Sequence, residues 1–99
     1  MTSPRATFVP EARVILRNAT GLHARPAKIF ARTAAASPAE VVIEKDGRTV
    51  NGKSVLSVLT LGCDHGDEIV IRTTGEGADE TLADLVKLVE SGLGEAEEG

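Results

Sequence analysis

A histidine and an arginine stand on either side of one alanine, directly before a proline, in the stretch TGLHARPA. Pro26 lacks a backbone N–H and has a fixed φ, so it fits the first turn of a helix. His23 would then occupy the N-cap, where backbone N–H groups point outward without partners and can bind an anion. Neutral imidazole is a nucleophile near pH 7. The spacing therefore predicts that His23 accepts a phosphoryl group, stabilised by the N–H groups of Ala24 and Arg25 and by the Arg25 charge.

A phosphoramidate is labile, so a site of this kind could also give the phosphoryl group up again. No second catalytic group is evident, which indicates a carrier that other enzymes load and unload rather than an enzyme. The alternative is that His23 is only a capping or surface residue, the commoner role of a single histidine in a small domain. Four features within four residues (helix start, proline, arginine and histidine) favour the chemical role.

Composition indicates one small domain without membrane or nucleic-acid functions. The chain has 99 residues, one cysteine and a net charge of −4. No disulfide can form within the chain, no apolar run approaches the roughly 20 residues of a membrane span, and the start lacks the apolar core of a secretory signal. We therefore expect a cytoplasmic protein that binds neither nucleic acid nor membrane. Between Leu22 and Ser37 the charged residues are all basic, which favours a negatively charged local partner.

Hydrophobic periodicity predicts seven elements in the order β-α-β-β-α-β-α. The predicted strands are 13–17, 41–43, 48–50 and 68–72, the second and third joined by an Asp46-Gly47 hairpin. The predicted helices run from about 24 to 36, from an N-cap at Ser54 to Gly62, and from about 78 to 91. Amphipathic helices over an alternating sheet must cover one face of it, so the expected fold class is an α+β open-faced two-layer sandwich.

The loop Cys63-Asp64-His65 contains three residue types that bind metals. Its spacing is too tight for a good chelate from one loop, and no second ligand cluster follows it. We interpret it as a surface loop and predict no metal and no cofactor.

The motifs GLHARPA at 21–27, NGKS at 51–54 and LTLG at 59–62 closely resemble the HPr family, the histidine-containing phosphocarriers of the bacterial phosphoenolpyruvate-dependent sugar phosphotransferase system. The resemblance covers about residues 12–94. It implies a four-stranded antiparallel sheet with three helices on one face. We expect a flexible leader over 1–11, an HPr-like domain over 12–92 and an acidic tail over 93–99.

The resemblance also implies roles and partners. His23 would accept the phosphoryl group through Nδ1, with Enzyme I as donor and the IIA domains of sugar permeases as acceptors. We expect a monomer that binds both partners through its first two helices. This partner surface would comprise Ala24, Lys28, Ile29, Arg32, Lys53, Val55, Leu56 and Leu59. Its basic residues would face acidic partner rims, with Val55 and Leu56 at the centre.

Ser54 has two interpretations. It is a good N-cap residue. In the family, the matching serine is also phosphorylated in many Gram-positive bacteria by HPr kinase/phosphorylase. A phosphate there would sit at a helix N-terminus and place about −2 charge on the partner surface, so we expect it to slow phosphoryl transfer to His23.

Two other functions stay open at this point. One is a regulatory module whose phosphorylated Ser54 binds a carbon-control repressor, although paralogues of that kind lack the active-site histidine. The other is a nitrogen-type phosphocarrier. Such relatives typically have methionine at the position of Leu22 and no lysine before the serine, so Leu22 and Lys53 favour the sugar branch.

Overall fold

The computed structural model describes residues 9–95 and contains the seven predicted elements in the predicted order. The elements are β1 (Glu11–Ile15), α1 (Ala24–Ala35), β2 (Glu40–Lys45), β3 (Arg48–Asn51), α2 (Val55–Thr60), β4 (Glu68–Thr74) and α3 (Ala78–Glu90). The fold class is confirmed: one antiparallel four-stranded sheet carries three helices. Within this part of the chain, no helix is long and apolar enough to span a membrane.

The sheet has the strand order β1-β4-β2-β3, so β4 lies between the first two strands of the sequence. In the register, Val14 pairs with Ile69 and Ile43 pairs with Ile71. The predicted hairpin between β2 and β3 is confirmed. Asp46 and Gly47 have φ of 52° and 84°, and positive φ at both central residues defines the two-residue turn that matches strand twist.

Alternate residues of β1, β2 and β4 point to the helices and are mostly buried, as period-two alternation requires, whereas none of the four residues of the edge strand β3 is buried. Val14, Leu16, Ile43, Ile69 and Ile71 form the sheet side of the core. The helices contribute the predicted α1 face together with Val58 of α2 and two α3 residues; these helix residues are Ala27, Phe30, Ala31, Ala34, Val58, Leu85 and Val89. Among residues 9–95, no helix covers the opposite face of the sheet.

Only the starts of β3 and β4 match the predicted strand bounds; the other strand ends differ by one or two residues, and pairing explains two of them. The chain leaves β1 at Ile15, not at residue 17, because the backbone of Leu16 bonds to the turn before β4 through Asp67 and Gly66. Strand β4 continues to Thr74, two residues beyond its predicted end, because Glu40 of β2 pairs with Thr74. Neither boundary is visible in the residue pattern, since both depend on backbone hydrogen bonds to a segment distant in sequence.

Residues 1–8 of the predicted leader and 96–99 of the predicted acidic tail lie outside the described residues. Strand β1 begins at Glu11. At the other end, α3 ends at Glu90, and Gly92, two residues later, has a φ of 96°. Leu93 follows it and is fully buried in the core. The first residues past α3 are therefore packed against the domain.

Candidate functional site

His23 occupies the N-cap of α1, as predicted. Its backbone is extended, with φ −101° and ψ 173°, and its carbonyl accepts the first helical hydrogen bond from the Ala27 N–H at 2.9 Å. The N–H groups of Ala24 and Arg25 precede that bond, so the helix offers them no partner. The first turn contains no acidic residue, and the His23 side chain does not cap the helix itself. The imidazole thus stands beside an electropositive helix start without using a ring nitrogen to cap it.

The loop before His23 approaches the loop after α2 very closely. The Leu22 N–H donates to the Cys63 carbonyl at 2.9 Å. Gly21 has a φ of 66°, and a Cβ added there would meet the Cys63 carbonyl oxygen and lie 2.6 Å from the Asp64 Cα. Only glycine permits both this conformation and this approach. Gly21 therefore brings the His23 loop and the 62–66 loop into contact.

Asp64 reaches the imidazole because of that contact. Its Oδ1 lies 2.7 Å from His23 Nε2, and both side chains are largely exposed. A carboxylate accepts but does not donate a hydrogen bond, so Nε2 carries the proton and donates to Oδ1. Sequence reasoning missed Asp64 and assigned it to a surface loop. The two residues are 41 positions apart in the sequence. The only local signal for their contact is the glycine at position 21, which permits another backbone to come close.

A tight turn holds Asp64 in place. The Asp64 N–H donates to the Asp67 carboxylate at 2.7 Å, and the Asp67 N–H donates back to the Asp64 carbonyl at 3.0 Å. Lys45 forms an ion pair with Asp67 at 3.1 Å. The hydrogen bond from the Asp64 N–H is the largest cause that lowers the pKa of Asp67, and the hydrogen bond from the Lys45 ammonium is the next. Asp67 therefore stays ionised and keeps this turn closed at neutral pH.

Glu95 lies on the other side of the His23 loop. Its carboxylate accepts from Asn18 Nδ2 at 2.9 Å and from Thr20 Oγ1 at 3.1 Å. The Asn18 hydrogen bond is the largest cause that lowers the pKa of Glu95, and the charge of Arg25 contributes to the shift. Glu95 belongs to the acidic tail predicted over residues 93–99. In the structure it ties the chain after α3 to the loop that carries His23.

The residues of the predicted partner surface differ in exposure. Ala24, Lys28 and Arg32 are exposed along α1, and Ile29 is half-buried. Among residues 9–95, the α1 cations Arg25, Lys28 and Arg32 make no salt bridge. On α2, Val55 is half-buried, whereas Leu56 and Leu59 are exposed. The structure therefore leaves unpaired cations on α1 and apolar side chains on α2 open to solvent.

Lys53 belongs to the predicted partner surface, but its side chain is hydrogen-bonded within the domain. Its ammonium donates to the Ser37 carbonyl at 2.8 Å, and the residue is half-buried. Lys53 therefore joins the end of α1 to the start of α2. Its charge is engaged within the domain, in contrast to that of Lys28 or Arg32.

Ser54 is the N-cap of α2, as predicted. Its hydroxyl oxygen accepts from the Ser57 N–H at 3.2 Å, and its backbone is extended. The residue is half-buried. The capping role follows from this geometry alone.

Cys63 and His65 do not join Asp64 in a ligand cluster. Burial raises the pKa of the Cys63 thiol to about 11, and this thiol lies in the hydrophobic core. His65 contacts the Asn18 carbonyl through Nδ1 at 3.1 Å. Across residues 9–95, no three His, Cys, Asp or Glu side chains are grouped to bind a metal ion.

Comparison with known proteins identifies relatives over nearly the whole chain. The family model described as "PTS HPr component phosphorylation site" matches residues 10–91. The phosphocarrier protein HPr of Streptomyces coelicolor is 51% identical over 89 residues, covering 89% of this chain and 96% of that protein. The HPr-like protein Crh of Bacillus subtilis is 36% identical and covers 81% of this chain and 94% of its own length. The crystal structure of HPr from Thermoanaerobacter tengcongensis superposes with a TM-score of 0.85 at 37% identity, covering 88% of this chain and 98% of that one.

Proposed function

The chain belongs to the HPr family of the phosphotransferase system, and from that premise we propose that His23 accepts a phosphoryl group from phospho-Enzyme I and passes it to IIA domains of sugar permeases. The protein would act as a cytoplasmic carrier and leave catalysis of each transfer to its partners. We retain the expectation of a monomer.

The observation that carries the proposal is the position of His23 at the start of α1. The Nε2–H bonded to Asp64 leaves the lone pair on Nδ1 free to attack phosphorus. A phosphoryl group on Nδ1 would lie near the N–H groups of Ala24 and Arg25, which have no helical partner. Helix dipole, N–H groups and guanidinium all favour the negative charge that arrives.

The exposed faces of α1 and α2 supply a docking surface for both partners. Leu56 is 76% exposed, a large value for a leucine, and the unpaired cations of α1 are suited to steering an acidic partner. The engaged ammonium of Lys53 makes it a weaker member of this surface than Lys28 and Arg32. We propose that Leu56 is the apolar centre of the contact.

Loading and transfer are tested together by mass spectrometry. The intact mass of the chain is measured after incubation with phosphoenolpyruvate and Enzyme I, and again after a IIA domain is added. The expected result is one acid-labile phosphoryl group on the wild type, none on His23→Ala, and loss of the group to IIA. An active Enzyme I that leaves the wild type unphosphorylated contradicts the proposal.

The docking surface is tested by Leu56→Ala, with Ile15→Ala as the matched control. Ile15 is 43% exposed, on the face of the sheet away from the helices. Truncation of a central interface residue costs more than about 1 kcal/mol, so the phosphorylation rate at low concentration should fall at least about fivefold for Leu56→Ala and stay unchanged for Ile15→Ala. Equal rates for the two variants would exclude Leu56 from the contact.

A second role, regulation through Ser54, is favoured by its place at the N-cap of α2, adjoining Leu56. A phosphate on Ser54 would replace the cap with another group that accepts hydrogen bonds from the helix start, so α2 should persist. The added charge would repel an acidic partner, and the phosphorylated serine could instead be recognised by a carbon-control repressor after modification by HPr kinase/phosphorylase. The nitrogen-type alternative is disfavoured by Leu22 and Lys53.

Ser54→Asp measures the effect of charge at this position, with Ser91→Asp as a control of equal charge at the end of α3. Aspartate is itself a good N-cap residue, so the variant should fold. We expect slower phosphorylation by Enzyme I for Ser54→Asp only. Identical rates for both variants and the wild type would argue against regulation at this site.

A further inference from the structure

The contact between Asp64 and His23 has a consequence for the chemistry of the ring. We propose that Asp64 is a positioning residue for phosphoryl transfer: it holds the proton on Nε2, keeps the lone pair on Nδ1, and pairs with the positive charge that the ring gains on phosphorylation. This inference rests on the proposed carrier function. Asp64 would act through the imidazole and would not touch the phosphoryl group.

Both the chemistry of a carboxylate and the short distance to Asp64 place the proton of the His23 ring on Nε2. Neutral imidazole carries one N–H, and either nitrogen can hold it. A carboxylate oxygen at 2.7 Å from Nε2 can only accept, so the tautomer with Nε2–H gains a charge-assisted hydrogen bond. The opposite tautomer would set the Nε2 lone pair against the carboxylate. Asp64 therefore favours the form in which Nδ1 is the nucleophile.

The transfer balances without movement of a proton. The Nδ1 lone pair forms a bond to phosphorus while the bond between phosphorus and the donor's leaving group breaks, and the leaving group departs with that electron pair. The phosphorylated ring keeps the Nε2–H and gains positive charge shared between its two nitrogens. Asp64 already lies beside Nε2, so the new charge forms an ion pair where a hydrogen bond stood before.

A carboxylate next to an anion site would ordinarily oppose phosphoryl binding. Here Asp64 contacts the edge of the ring that carries Nε2, so the imidazole separates its carboxylate from the phosphoryl group on Nδ1. The backbone of Asp64 is fixed by its two hydrogen bonds with Asp67, while its side chain is 70% exposed. Substitution of that side chain should therefore alter the ring's partner without unfolding the loop.

Three variants separate the parts of this role. Asp64→Asn retains an acceptor but removes the charge, Asp64→Ala removes both, and Asp64→Glu retains both on a longer arm. Asp84→Asn on exposed α3 is the control for a change in net charge. The first readout is the ¹⁵N chemical shifts of the His23 ring, which distinguish a protonated nitrogen from one with a lone pair. The second is the rate of phosphorylation by phospho-Enzyme I.

We expect Nε2–H and an unprotonated Nδ1 in the wild type and in Asp84→Asn, and a larger fraction of the opposite tautomer in Asp64→Ala. The phosphorylation rate of Asp64→Ala should fall by up to about fivefold, the upper end of what an exposed ion pair contributes. Asp64→Asn should be slowed as well, and Asp64→Glu should recover part of the rate. A purely structural role for Asp64 would leave the ring shifts unchanged.

The two proposals fail in different ways. Unchanged tautomer populations and unchanged rates in Asp64→Ala overturn the positioning role while leaving the carrier function intact. Absence of phosphorylation in the wild type overturns the carrier function and the positioning role with it.

Discussion

Gly21→Ala should destabilise the domain far more than an ordinary glycine substitution, because two costs combine at this position. Alanine at a φ of 66° costs about 1–2 kcal/mol. Its Cβ would also lie 2.6 Å from the Asp64 Cα, so the two loops must separate by about 1 Å to reach ordinary contact. Forcing atoms into a packed site costs about 1–3 kcal/mol more. The total is about 2–5 kcal/mol.

Gly62→Ala is the matched control. Its φ of 64° is nearly the same, and a Cβ added there has no heavy atom within 4 Å. It should therefore cost only the conformational part, about 1–2 kcal/mol. For a domain of this size each 1 kcal/mol lowers Tm by about 4–8 °C.

Urea unfolding of both variants measures the difference directly. We expect Gly21→Ala to lose about 1–3 kcal/mol more than Gly62→Ala, the part assigned to overpacking. The His23 ring shifts of Gly21→Ala should also change, since separation of the loops moves Asp64 away from the imidazole. Equal destabilisation by the two substitutions would refute the claim that close approach of the loops is what requires glycine at 21.

Two further predictions concern the α2 cap and acid stability. Ser54→Ala should lower the free energy of unfolding by about 1 kcal/mol, because α2 is six residues long and the Ser57 N–H loses its acceptor; chemical denaturation checks this, with Ser91→Ala as a control. Because the pKa of Glu95 is lowered in the folded state, its contribution to stability is complete above its ordinary pKa of about 4.3 and is lost as pH falls through the lowered value. Unfolding measured from pH 6 to pH 2.5 should therefore show a smaller acid loss in Glu95→Gln, and identical pH profiles would contradict this.

Much of the fold follows from local pattern. The i, i+3, i+4, i+7 spacing around Phe30 predicts the buried face of α1, and Asp46-Gly47 predicts the hairpin, because each depends on residues close in sequence. The position of β4 between β1 and β2 does not follow from local pattern. It depends on how β1, the β2–β3 hairpin and β4, which are separate in sequence, pack together. On α2 the pattern identified apolar residues but did not distinguish buried Val58 from exposed Leu56.

The same distinction applies to the candidate site. The positions of His23 and Arg25 at the start of α1 could be predicted because helix start, proline and charge are adjacent in the chain. Asp64 and Glu95 could not, because they reach the His23 loop from 41 and 72 positions beyond His23, through backbone geometry that no short motif encodes. The exposed cations of α1 were predicted, but the engagement of Lys53 with Ser37 depends on how α1 ends beside α2.

NMR of the phosphorylated chain shows whether His23 carries the phosphoryl group on Nδ1. The chain labelled with ¹⁵N is phosphorylated with phosphoenolpyruvate and Enzyme I, and the one-bond coupling between ³¹P and ¹⁵N identifies the atom that bears phosphorus. We expect coupling to His23 Nδ1, with Nε2 still protonated beside Asp64. Coupling to Nε2, or phosphorus on a residue other than His23, would contradict it.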